Sequence, residues 1–170
     1  QGLQLLGLAD ALAQARQQVL ASFGAAAVRI GGLGLRTSMR NQLPCRVQAL
    51  TKIGQALQVA LHLPDGTPLY SRITKESAEL LGLQAGSEVL ALCKATAVKI
   101  SKTAVPGEAL NSLPGRVTRA SQSAEGGEVA LELECGLQLV GFTGPASGLR
   151  VGSRAVAHIE SSAVVIALTD

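Results

Sequence analysis

The run RTSMRNQLPCR, residues 36–46, carries Arg36, Thr37, Ser38, Arg40, Asn41 and Arg46 and no acidic residue. A doubly charged tetrahedral oxyanion needs hydrogen-bond donors and positive charge, with few acceptors nearby. Serine, threonine, arginine, lysine and backbone N–H groups supply both. Ser38 and Arg40 are two positions apart, so in an extended segment their side chains face the same way. Asn41 and Gln42 stand next in line to orient the loop. Further on, Thr74 and Ser77 open a predicted short helix. The free N–H groups and the dipole of a first helical turn favour anions. Lys94 ends the apolar run LALC, as a solvated strand-end charge or as an inward partner for an anion. Taken singly, each residue also has a plainer reading. Ser38 and Arg40 read as surface loop, Thr74 as a helix cap, Ser77 as a first-turn residue and Lys94 as a solvated charge.

The elements that must hold these residues repeat. LPCRV starts at Leu43 and LPGRV at Leu113; VALHL starts at Val59 and VALEL at Val129, so both pairs lie 70 positions apart. LGLQAGSEVLALCKATAVKI (81–100) then aligns with SGLRVGSRAVAHIESSAVVI (147–166), 66 apart, so the second copy has lost four residues in between. Self-similarity at this spacing means two copies of one unit. Each copy predicts short strands. In the first they are 44–51, 56–63, 67–73, 87–95 and 97–101, with a hairpin at PDG (64–66) and a short helix over 74–83. Thr74 is the predicted cap of that helix, and Ala78, Leu80 and Leu81 its apolar side. The expected fold is mainly β: two tandem, small, five-stranded barrels of the oligonucleotide-binding type, 36–105 and 106–170. Residues 1–35 form a connector helix and linker, because Leu5, Leu8, Leu12, Ala15, Val19 and Phe23 recur at helical spacing.

The second copy keeps the glycines and the Leu-Pro-x-Arg-Val strand start. It places Glu108 and Leu110 where the first has Ser38 and Arg40, and Glu160 where the first has Lys94. Its helix start shrinks to TGPASG (143–148). The donor set therefore belongs to the first copy, and the scaffold does not require it.

Composition narrows the classes. Of 170 residues, 47% are apolar and 16% charged, which suits a folded core. A net charge of +3 and 2% aromatics argue against a nucleic-acid barrel, which stacks bases on aromatic side chains along a basic groove. Cys45, Cys93 and Cys135 are odd in number and far apart, so neither a disulfide framework nor a zinc site is expected, and a reducing compartment is the default. No apolar run approaches the ~20 residues of a membrane span. The first residues lack a methionine and the basic region of a signal peptide, so the sequence reads as a fragment of a longer protein. His62 and His158 have no nucleophile elbow or phosphate loop nearby, and no enzyme is expected.

TSMRNQ, followed by ITKESAELLGL and EVLALCKATAV, resembles the molybdate-binding Mop (TOBE-type) domain. The tandem arrangement, preceded by LADALAQARQQVL, is similar to the C-terminal part of ModE-type molybdate-dependent transcription regulators. That resemblance implies a cytoplasmic homodimer that binds molybdate, or tungstate, at the interface between chains. Ser38, Arg40 and Lys94 of one chain would bind the anion, and Thr74 and Ser77 would come from the partner. Met39 stands where a small residue is common. The resemblance also implies that DNA is reached through an N-terminal winged helix-turn-helix domain absent from these 170 residues, with the helix at 5–23 as its connector. The competing reading is a stand-alone molybdate-storage protein of the molbindin type.

Overall fold

The computed structural model describes residues 37–168, apart from Glu108, Gln122 and Ala124. The expected connector helix and linker at 1–35 lie outside the described residues, as does Glu108.

Among the described residues, ten strands and one α-helix follow the repeat. The first copy supplies β1 (Asn41–Ile53), β2 (Ala56–His62), β3 (Pro68–Thr74), α1 (Lys75–Leu81), β4 (Glu88–Cys93) and β5 (Val98–Ser101). The second supplies β6 (Leu110–Ala120), β7 (Gly127–Leu133), β8 (Gln138–Thr143), β9 (Arg154–Glu160) and β10 (Val165–Leu168). The long strands β1 and β6 each pair with two neighbours in succession. Asn41–Arg46 pairs with β4, and Arg46–Ile53 pairs with β2. A bulge between Val47 and Ala49 turns the strand from one partner to the other, and β6 has its equivalent between Val117 and Arg119. Bulges bend a strand and increase its twist, which is what coils a small sheet toward closure. Both turns in the chain that bind this corner also match: Gly86 N–H donates to Val47 O and Gly152 N–H to Val117 O, each at 2.8 Å.

The fifth strands are exchanged. The first sheet runs β10-β4-β1-β2-β3, and the second runs β5-β8-β7-β6-β9 as a closed barrel. Each unit is thus completed by the last strand of the other, and the pairing crosses the expected boundary near residue 105. The two units share one hydrophobic core, built from alternate residues such as Leu43 and Val47, Val59 and Leu61, Leu113 and Val117, and Leu131 and Ile159. Fully burying one such side chain contributes about 1.5–3 kcal/mol.

The closures differ, where two like barrels were expected. In the second unit β5 lies beside β8, pairing Lys99 with Phe142. Gly141 allows this approach: a Cβ there would meet Val98 O and Cγ1 at 2.7 Å. The first unit has Ser71 at the matching place. Its hydroxyl donates to Val164 O at 2.6 Å and stands where backbone pairing would close the ring. The first unit is therefore an open sheet, bridged at its edges by that side chain.

Helix α1 begins as expected. Thr74 is extended, and its Oγ1 accepts the Ser77 N–H at 3.1 Å. Gly82 ends the helix in the left-handed region at φ 60°, where glycine carries no Cβ penalty. Ala78 is buried and Leu81 packs on the core, but Leu80 is 87% exposed and is not part of the apolar side. In the second copy, among the described residues, no α-helix stands between β8 and β9.

Candidate functional site

The segment that opens β1 is held from both flanks. Thr37 Oγ1 accepts the Met39 N–H at 3.1 Å, and Gln42 Nε2 donates to Met39 O at 3.4 Å. Asn41 is buried and reaches across to the second unit. Its Nδ2 donates to Val140 O at 2.8 Å, and its Oδ1 accepts the Val140 N–H at 2.7 Å. The loop is thereby pinned at Asn41, while Ser38 and Arg40 stay exposed beside it.

Lys94 joins this end of the sheet. Asn41 pairs with Cys93 across β1 and β4, so Arg40 and Lys94 are the next residues on two adjacent antiparallel strands. Lys94 is exposed and precedes a single 3-10 turn, Ala95–Ala97, with its carbonyl accepting the Ala97 N–H at 3.0 Å. Ser38, Arg40 and Lys94 thus share one end of the first sheet.

Thr74 and Ser77 do not join them. Thr74 pairs with Ala56, and Ala56 pairs with Ile53, the far end of β1. The path along β1 from Arg40 is roughly 40 Å at the usual rise per residue. Thr74 is exposed and Ser77 half-buried, and they face each other with their hydroxyl oxygens 2.8 Å apart. Within one chain the five candidate residues therefore form two groups, at opposite ends of one sheet.

A carboxylate that sequence reasoning missed stands in the first group. Arg40 makes a two-point fork to Glu128 of β7, with Nη1 to Oε2 at 2.8 Å and Nη2 to Oε1 at 2.9 Å. Arg119 of β6 donates to the same Oε1 at 2.6 Å. The hydrogen bond from Arg40 holds the Glu128 carboxyl below its usual range. The charges of Arg40 and Arg119 add to this, and partial desolvation opposes it. The same fork raises the Arg40 guanidinium. Lys94 makes no ion pair with a described residue.

The remaining ionisable groups look structural. Burial pushes the thiols of Cys45 up to about 12 and Cys93 up to about 11, as expected of small core residues. His158 is buried, with Nε2 2.9 Å from Ser101 Oγ. Among the described residues no group of three or more His, Cys, Asp or Glu is placed to hold a metal ion. No helix there is long and apolar enough to cross a membrane.

Residues 37–100 match the model of the TOBE domain. Full-length matching extends this to both copies. The chain is 34% identical over 178 aligned positions to the DNA-binding transcriptional dual regulator ModE of Escherichia coli K12, covering 98% of this chain and 68% of ModE. The chain belongs to the TOBE-domain family of the ModE and Mop proteins. It is also 36% identical over 143 residues to the molybdenum-pterin-binding protein MopB of Rhodobacter capsulatus, covering 81% of this chain and 53% of MopB. A similar match to the regulator ModE of Yersinia pestis covers 55% of that protein at 38% identity. The chain thus spans about half the length of MopB and of the Yersinia regulator. Its fold matches a molybdate-bound crystal structure of the cytoplasmic protein ModG with a TM-score of 0.72 and 30% identity, covering 79% of this chain and 100% of ModG. The relatives are named for molybdenum-pterin binding, molybdenum transport or transcriptional regulation, and none of these names is that of an enzyme.

Proposed function

We propose that this chain binds molybdate, and tungstate of the same shape and charge, in a site shared between two copies. Ser38, Arg40 and Lys94 come from one copy and Thr74 and Ser77 from the other. The observation that carries this is the split of the five donors to opposite ends of one sheet. Neither group alone surrounds a tetrahedral anion. A two-fold arrangement of two chains brings each group to its complement and makes two equivalent sites, as expected of an isologous dimer. Loss of these residue types from the second copy supports a ligand role over a scaffold role. So do the molybdate-bound ModG structure and a relative named for molybdenum-pterin binding.

The regulator reading follows from the match across almost the whole chain to a DNA-binding regulator. An anion at a two-chain interface favours the dimer arrangement that completes the site, by differential affinity for two states. That bias would pass through the segment at 1–35 to a DNA-binding domain outside these 170 residues. The setting is cytoplasmic, with no membrane partner and no reaction catalysed. The storage reading is favoured by a different fact: this chain covers the whole of ModG. A storage protein would hold anions at more sites than the single donor set of each chain.

Titration calorimetry with molybdate decides, with sulfate and phosphate as controls, on wild type and Arg40→Ala. One anion per chain, lost in the variant, supports the sensor site. Several anions per chain support storage, and no binding by the wild type rejects both.

A further inference from the structure

The fork between Arg40 and Glu128 breaks the internal symmetry of the chain. At the spacing of 70 that relates the copies, Arg40, Glu128 and Arg119 correspond to Leu110, Gln58 and Ala49. The scaffold contact beside them keeps the symmetry, since Asn111 bonds Tyr70 as Asn41 bonds Val140. Docking of the two units therefore does not need the ion pair. Three charged residues have been placed where the other copy has none.

The Glu128 carboxylate takes both terminal nitrogens of Arg40. A guanidinium offers that same planar edge to any two-oxygen anion. An incoming oxyanion and Glu128 thus compete for one donor face. Glu128 is not orphaned when it lets go, because Arg119 holds its Oε1 at 2.6 Å. Arg40 side-chain exposure is 42% and that of Glu128 is 27%, so the pair is open to solvent.

Resting on Arg40 as an anion ligand, we propose that Glu128 is a built-in competitor that sets the affinity of the site. On loading, Arg40 passes from the carboxylate to the tetrahedral dianion, and Glu128 falls back on Arg119. No bond is made or broken beyond these ion pairs. A half-exposed fork weakens the site without blocking it, so the effect is roughly three- to tenfold in affinity.

The test is titration of sodium molybdate into the full chain as wild type, Glu128→Gln and Glu132→Gln. Glu132 lies on the same strand and the same face of the sheet and removes the same charge without touching Arg40. The expected result is binding three- to tenfold tighter in Glu128→Gln and within about twofold of wild type in Glu132→Gln. If wild type binds and Glu128→Gln matches Glu132→Gln, or is weaker, the competitor is rejected while the molybdate site stands. If only Glu128→Gln binds, the competitor is upheld and is stronger than proposed. If neither binds while circular dichroism shows both folded, the site and its competitor fall together.

Discussion

Asn41 and Asn111 stand 70 positions apart and make the same pair of hydrogen bonds in opposite directions. Asn41 bonds both backbone groups of Val140, and Asn111 bonds both backbone groups of Tyr70, at 2.7–2.8 Å. Each asparagine of one unit thus satisfies a strand peptide of the other. Both are buried. Together with the exchanged fifth strands they make the units interdependent.

Removing either asparagine should therefore loosen the whole molecule. Asn41→Ala strands the Val140 N–H and C=O, and Asn111→Ala strands those of Tyr70. Each variant is expected to lose about 1–3 kcal/mol of stability, because a partly buried peptide left unpaired costs more than its bonds contribute. Urea unfolding should still show one cooperative transition, shifted to lower denaturant. Two separate transitions would mean that the units fold apart.

The Glu128 carboxyl should titrate below the ordinary glutamate range. Its folded value is depressed, so its contribution to stability is present above the unfolded value and is lost as pH falls through the folded one. Carboxyl-carbon NMR across the acid range should place its midpoint below that of an unperturbed glutamate in wild type. Arg40→Ala should move it upward, with Arg119 still in place. An unchanged midpoint in that variant would deny the fork.

The three thiols should separate by environment. Only the thiolate reacts with a disulfide reagent. Cys45 and Cys93 are buried with thiols near 12 and 11, while Cys135 is half-buried with a smaller upward shift. At pH 8 the native protein should label first at Cys135, and all three should react after unfolding. Equal native rates would contradict the packing described.

Thr74 serves a helix and, in the proposed site, an anion, and one substitution separates the two. Aspartate caps a helix as well as threonine does, so Thr74→Asp should keep thermal stability within about 0.5 kcal/mol. Its carboxylate faces the dianion, so molybdate binding should fall at least about tenfold. Retained binding in a folded Thr74→Asp protein would remove Thr74 from the site.

Much of this architecture was legible in the residues. The hairpin glycine, the Thr74 cap and the strand pattern are local, and local chemistry fixes them. The repeat showed that there are two units, because LPCRV and LPGRV start matching strands. It could also have drawn attention to Asn41 and Asn111, which fill the same slot in both copies. The strand exchange was not readable, since Val98–Ser101 and Val165–Leu168 are apolar enough to pair with either sheet. The open closure of the first unit turned on one atom, the Ser71 hydroxyl, where the other copy has Gly141. Glu128 was invisible for a different reason. It lies 88 residues from Arg40, and nothing in its own neighbourhood marks it as a partner. The split of the five donors likewise needed the sheet order, since sequence spacing does not say which end of a barrel a residue occupies.

The most direct measurement is diffraction from crystals of this chain soaked in tungstate, with the metal located by its anomalous scattering. A site shared between copies is expected to place tungsten within hydrogen-bond reach of Ser38, Arg40 and Lys94 of one chain and Thr74 and Ser77 of another. Tungsten bound within a single chain, or away from Arg40 altogether, would contradict it.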